Sequence, residues 1–371
     1  MMVYCLQKQE PIALGIRRII LERLDAIEQD LTDETLDRDK AVHNARKTCK
    51  RLRAVLRLVR DEIGPDLFRR ENICFRDISR RLSVARDSFV LIETLTMLDA
   101  QYPDTLPASF VANARVQLEE RYQAVWHRFW EQEGVIEDVL REIRAARVRL
   151  ETLPITGDDF GVFARSLRRV YRRGRRAMAA AYEGEGVPHA FHEWRKRVKY
   201  LWYQVEILQD AWTPLLLAVA GELHALSGYL GDDHDLAELR RVLLQNPTAF
   251  GAESDLSVLL ALIAQRREAL ETAAYPLGQR IFAESSQAFV ARMGVYWAAW
   301  QAESDVVLQT ASDSQQEPPV QERLLTTRQA AELEQISVEQ VRHLIYSGKL
   351  AAFKLGGRWV IEREAMEQAR R

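Results

Sequence analysis

The sequence predicts an all-α chain of two pseudo-symmetric four-helix bundles, followed by a small domain of short helices and two short strands. Three observations carry that expectation. Apolar residues recur at three- and four-residue spacing in nearly every window from residue 11 to about 302, the period of amphipathic helices. A histidine-basic motif occurs twice, at His43 and His192. The stretch 303–322 is polar and acidic, holds a double proline and has no helical period, so it reads as a flexible linker. A length of 371 residues suits two or three domains, and a hydrophobic fraction of 47% is enough for a core.

Breakers divide the first region into about eight long helices. They are Gly64-Pro65, Tyr102-Pro103 with Leu106-Pro107, Pro154 to Gly161, Gly184 to Pro188, Thr213-Pro214, Asn246-Pro247 and Tyr275-Pro276. Short connections between long amphipathic helices favour antiparallel bundles. No run of about 18 apolar residues occurs, so no membrane span is expected. Lys8, Gln9 and Glu10 stand where a signal peptide carries its apolar stretch. Cys5, Cys49 and Cys74 match no metal or disulfide spacing and read as reduced thiols in the cytoplasm.

The helical region reads as a duplication, 11–153 and 160–302. His43-x-x-Arg46-Lys47-x-x-Lys50 returns as His192-x-x-Arg195-Lys196-x-x-Lys199. Leu82 to Leu95 aligns with Leu230 to Leu243, which sets Arg86 against His234, Asp87 against Asp235 and, further back, Arg76 against His224. Repeated units of about four helices each give the two bundles.

At 100° per residue, His43, Arg46, Lys47, Lys50, Arg51, Arg53 and Arg57 fall within an arc of about 160°. Ala45, Leu52, Val55, Leu56 and Val59 lie opposite. Residues 38–60 hold nine basic side chains and one acid, a local charge of +8. Like charges at i,i+4 repel, so a merely solvated helix mixes its signs. In the second half, His192, Arg195, Lys196 and Lys199 lie opposite the Trp194 to Leu208 stripe. The helix before it adds seven arginines and no acid over 165–176, among them Arg168, Arg172 and Arg176. The near-neutral total of −2 therefore averages strongly segregated charge. If the pseudo-twofold brings the histidine helices together, their cationic faces form one groove. Such a groove suits an anion with many closely spaced charges, since Arg forks onto two phosphate oxygens and Lys is a compact point charge. No aromatic side chains interleave with the stripe for base stacking, which favours a linear polyphosphate over single-stranded nucleic acid.

Over residues 11–302 the sequence resembles the conserved histidine α-helical domain (CHAD) family. VHNARKTCKRLRAVLRLV, RDISRRLSVARDSFVLIETL, YRRGRRAM with FHEWRKRVKYLWYQVEIL, and LGDDHDL carry the resemblance, in order. It implies two pseudo-symmetric four-helix bundles, inorganic polyphosphate bound on a central basic cleft, and association with polyphosphate granules. By position the binding set is His43, Arg46, Lys47, Lys50, Arg51, Arg53, Arg57, His192, Arg195, Lys196 and Lys199. Arg86, His224 and His234 are further candidates, and Arg168, Arg172 and Arg176 supplement them. Trp202 and Glu206 depart from the pattern, standing opposite Arg53 and Arg57. The E-x-E-x-K motif of the triphosphate-tunnel domain to which members are often fused is absent.

Gly231-Asp232-Asp233-His234-Asp235 is the strongest catalytic motif. Three carboxylates and an imidazole could hold a divalent metal for phosphohydrolysis, with further ligands from elsewhere. The plainer expectation is that Asp232 or Asp233 caps a helix starting near His234.

Residues 323–371 read as a separate unit. Thr326 or Thr327 caps a helix to about Glu334, and Ser337 caps a second to about Tyr346, stopped by Ser347-Gly348. Leu350–Leu355 and Arg358–Ile361 alternate as strands around Gly356-Gly357, and a last helix is expected from Arg363. LTTRQAAELEQISVEQVRHLIYSGKLAAFKLGGRWVIER resembles excisionase and MerR-like winged helix-turn-helix domains. The resemblance implies DNA binding, with the second helix in the major groove. By position Ser337, Glu339, Gln340, Arg342 and His343 on that helix, and Lys354 and Arg358 on the wing, are the contacts. A protein-docking role for this unit is the alternative. The sequence thus reads as a cytoplasmic, non-enzymatic protein that binds polyphosphate and DNA, needs no cofactor, and is compatible with a homodimer. The rivals are the metal phosphohydrolase and a transcription factor sensing a small phosphorylated ligand.

Overall fold

Local chemistry sets the helix boundaries in the computed structural model, which describes residues 4–131, 134–183, 190–303, 324–346, 350–355 and 358–362. Helix α1 (Ile12–Thr32) starts at Pro11. Asp37 caps α2 (Arg38–Leu58) by accepting from the Lys40 amide at 3.0 Å, and Asp39 adds negative charge to the first turn. After the single turn α3 (Arg60–Ile63), Gly64 takes a φ of 79°, a value glycine adopts without steric cost, and Pro65 opens α4 (Pro65–Arg81). Then come α5 (Ser83–Gln101), α6 (Ala108–Glu131) and α7 (Val135–Leu150), the last with Glu137 and Asp138 in its first turn and Arg147 and Arg149 in its last. The second half holds α8 (Gly161–Glu183), α9 (Ala190–Ile207), α10 (Thr213–Gln245), α11 (Glu253–Ile281) and α12 (Ser286–Ala302).

The chain divides into two units, Met1–Trp300 and Gln301–Arg371. In the first, α1, α2, α4 and α7 pack around one another. The matching set is α8, α9, the first half of α10, and α12, whose Trp297 and Phe289 meet Phe163 and Tyr171 of α8. The two sets share one continuous core across α2 and α9, with Leu52, Val55, Trp194 and Val198 fully buried. A second core holds α5 and α6 against the end of α10 and the start of α11, through Leu91, Leu95, Leu118, Leu239 and Leu259. Both halves therefore project a helix pair beyond their bundle, and the pairs clasp each other.

The halves differ at one joint. The chain breaks between α4 and α5 at Leu82-Ser83, whereas the corresponding Leu230-Gly231 lies inside the 33-residue α10. The expected helix start near His234, capped by Asp232 or Asp233, is thus corrected: all four residues 232–235 are mid-helix. The expected break at Tyr275-Pro276 is also absent. Helix α11 runs through Pro276 because the following turn is locked into the core. Trp194 approaches so closely that a Cβ on Gly278 would lie 2.6 Å from its ring. Burial of Ala274, Leu277 and Trp194 outweighs the roughly 3 kcal/mol that an interior proline costs. The expected break at 184–188 and, apart from Glu303, the expected linker 303–322 lie outside the described residues.

The second unit has β1 (Leu324–Thr326), α13 (Thr327–Glu334), α14 (Val338–Tyr346), β2 (Ala352–Leu355) and β3 (Arg358–Glu362). Thr326 and Gln329 form a reciprocal capping box for α13. The strands make an antiparallel sheet in the order β1-β3-β2. β1 was not expected, because three residues before a helix cap leave too short an alternation to read. Ala330, Val341, Ile345, Leu350 and Ile361 form the core of this unit. The expected stop at Ser347-Gly348 and helix from Arg363 lie outside the described residues. No helix among the described residues is long and apolar enough to cross a membrane.

Candidate functional site

The two basic helices meet directly. Arg51 pairs with Glu206 at 3.1 Å, Gln204 donates to the Ala54 carbonyl at 3.4 Å, and the Arg57 guanidinium lies 4.1 Å from the Tyr200 ring centroid. As the partners rise along α2 they fall along α9, so the helices are antiparallel. Their apolar faces enter the shared core, and their basic faces are left to converge between α5 and α10.

At the centre are Arg46 and Lys50 of α2, His192, Arg195 and Lys199 of α9, Asp87 of α5, and His234 and Asp235 of α10. Arg46 Nη2 donates to Asp87 Oδ1 at 2.9 Å. Burial pushes the Lys50 ammonium down to about 8, with Arg46 and Arg195 adding to the fall and Asp87 and Asp235 opposing it. Lys199 falls further, to about 6, through burial and then Arg195 and Lys50. His234 is held to about 3 by burial and by Arg195 and His192. Burial raises Asp235, against the pull of Arg195. His192 Nδ1 and His234 Nδ1 stand 3.2 Å apart, a distance at which one nitrogen donates and the other accepts. The Nε atoms of Arg46 and Arg195 are buried with no hydrogen-bond partner. The cluster therefore holds more cations than anions, and burial together with the neighbouring cations pulls Lys50 and Lys199 below the ordinary lysine range.

The other predicted residues are spread around this centre. Glu206 ties down Arg51, and the Asn72 amide oxygen accepts from both Arg53 (3.1 Å) and Arg57 (2.7 Å). His43 and Lys47 are exposed on α2, and Lys196 is exposed and bonded to Glu193 at 2.6 Å. The His224 ring packs on Trp202, with centroids 4.5 Å apart. The Arg86 side chain lies outside the described residues. Arg168, Arg172 and Arg176 are exposed on α8, while Arg169 and Arg173 line a cavity with Arg57, Arg60, Arg197 and Tyr200. Which arginines of the run face α9 depends on the helix phase of α8 relative to α9, which packing sets.

The aspartates of 232–235 do not converge. Asp233 is buried and accepts from Arg267 Nε at 2.7 Å, so it faces α11. Asp232 and Asp235, three residues apart, share a different face. Among the described residues no group of three His, Cys, Asp or Glu side chains could hold a metal ion.

In the second unit Ser337 and Gln340 bond each other. The Gln340 amide donates to Ser337 Oγ at 3.2 Å, and the Ser337 amide to Gln340 Oε1 at 2.8 Å. Their side chains therefore cap α14. Glu339, Arg342 and His343 are exposed on α14. Lys354 and Arg358 lie at the ends of β2 and β3, with Leu355 paired to Arg358; their side chains lie outside the described residues.

No curated protein matches the chain. Two solved structures share the fold. One is PptA from Streptomyces chartreusis, at 15% identity and a TM-score of 0.55, covering 74% of this chain and 100% of that one. The other is the CHAD domain from the plant Ricinus communis, at 17% identity and 0.54, covering 81% and 95%. The family model for a helix-turn-helix domain matches residues 324–371. The model for the CHAD domain matches residues 18–244, which include both basic helices and the α5–α10 contact. The chain belongs to the CHAD domain family, with a helix-turn-helix domain after it.

Proposed function

We propose that the chain binds inorganic polyphosphate in the groove between α2 and α9, binds DNA through residues 324–371, and links the two without catalysing a reaction. The observation that carries the first part is the cation excess around Lys50 and Lys199. A polyanion supplies counter-charge, raises both lysines so that Lys199 regains its proton, and meets arginine forks that favour phosphate oxygens.

The phosphohydrolase reading needs Asp232, Asp233 and Asp235 to act at one point, and Asp233 is committed to Arg267 on another face. The DNA-binding part rests on the capped α14 with Arg342 and His343 exposed. A polyphosphate-linked regulator, or a tether between granules and DNA in the cytoplasm, would use both parts. Polyphosphate retention by the full chain and by a chain lacking 318–371 separates them. The truncated chain is expected to keep polyphosphate and lose DNA; loss of both would contradict the division of labour.

A further inference from the structure

The groove has two unlike ends. Positions 149 apart correspond between the halves, so Arg57 of α2 matches Glu206 of α9, and Arg51 matches Tyr200. At one end, Glu206 neutralises Arg51, whose guanidinium is also covered by Tyr4 and Tyr203 at 4.8 and 5.5 Å. At the other, Arg57 lies over Tyr200, Arg60 lies over Phe68 at 4.7 Å, and a cavity of about 140 Å³ opens between α2, α3, α4, α8 and α9. Five arginines line it: Arg57, Arg60, Arg169, Arg173 and Arg197. Asp61 takes Arg169 and Glu193 takes Arg197. Arg57, Arg60 and Arg173 have no carboxylate partner among the described residues. Arg57 donates only to neutral oxygens, those of Arg53 and Asn72.

We propose that this cavity is an anion subsite that takes the terminal phosphoryl group of an oligophosphate, so that the groove reads a chain end on one side only. The size fits: at about 30 Å³ per water, the space suits a group of a few heavy atoms and not a folded chain. The position fits too, because Arg57 lies about 10 Å beyond Lys50 along α2, and Tyr200 adjoins Lys199. The guanidinium of Arg57 is lowered to about 10 by burial and by Arg53, Arg197 and Arg173, so a bound anion would relieve the repulsion there. Arg173 is lowered by burial and then by Arg197, Arg169 and Arg60.

The inference rests on the groove reading, and calorimetry on the full chain separates the two. Sodium tripolyphosphate is the probe, with orthophosphate and long-chain polyphosphate as the other arms. R60Q/R173Q is expected to weaken tripolyphosphate about tenfold or more, since each lost contact is a charge-assisted hydrogen bond. N72D places a carboxylate against Arg53 and Arg57 without removing an arginine. It is expected to raise the melting temperature and still weaken tripolyphosphate, which a mere folding defect could not do. Unchanged tripolyphosphate affinity in both variants overturns the subsite. Orthophosphate binding as tightly as tripolyphosphate makes it a free-phosphate site and overturns the chain-end assignment. The groove reading fails separately, if long-chain polyphosphate survives R46Q/K50Q/R195Q/K199Q undiminished.

Discussion

Lys50 and Lys199 hold corresponding positions on packed antiparallel helices, and Lys199 is pushed down to about 6 by burial, Arg195 and Lys50. A solvent-facing lysine keeps its proton to about 10.4. The unfolded chain therefore binds a proton that the folded chain refuses between about pH 6 and 10, and stability rises with pH across that window. K199M removes the conflict. It is expected to raise the melting temperature of the ligand-free chain by about 2–4 °C near pH 7, the shift that about 1 kcal/mol gives in a domain of this class. The same change weakens polyphosphate binding. A fall in both quantities would contradict the electrostatic account.

Proton uptake follows from the same pair. A bound polyanion raises both lysines, and Lys50 starts at about 8. Uptake on binding is expected to approach one proton at pH 7 and to grow toward pH 8, where Lys50 is itself half deprotonated. Calorimetry in buffers of different ionisation enthalpy measures it. Release of protons over this range would be the wrong sign.

Asp235 distinguishes binding from catalysis. As a counter-charge beside Lys199 and Arg195, it opposes a polyanion. D235N is expected to leave polyphosphate affinity equal or tighter, and no phosphate release is expected from either protein with Mg²⁺ or Mn²⁺. Release by the unsubstituted chain that D235N abolishes would favour the phosphohydrolase.

The caps of the second unit have a separable role. S337A removes the acceptor that the Gln340 amide uses and is expected to destabilise that unit by about 1 kcal/mol. R342A/H343A removes exposed side chains, so it is expected to weaken DNA while leaving the melting curve in place. Equal DNA affinity in R342A/H343A would argue for protein docking.

The duplication, both basic faces and the core stripe of α9 were legible because helical period and repeat displacement are properties of sequence alone. The convergence of Arg46, Lys50, Arg195 and Lys199 followed from that symmetry. Three features were not legible. Glu206 is in sequence only a departure from the repeat pattern, and its pairing with Arg51 depends on the antiparallel crossing of α2 and α9. Arg169 and Arg173 could not be told from Arg168 and Arg172, because a run of arginines carries no phase and only packing supplies one. Gly231 and Pro276 are breakers by local preference, yet α10 and α11 run through them, held by burial of Leu230, Leu236 and Leu277.

The most direct test is the affinity of the full chain for long-chain polyphosphate across a salt series, beside R46Q/K50Q/R195Q/K199Q. Each neutralised phosphate contributes close to one unit to the log–log slope for nucleic acids, and a comparable dependence is expected here. The account predicts a steep, linear loss of binding with salt in the unsubstituted chain. It predicts a flattened slope and a large loss of affinity in the fourfold variant, with its melting temperature unchanged or raised. Binding that ignores salt, or that survives the four substitutions, would contradict it.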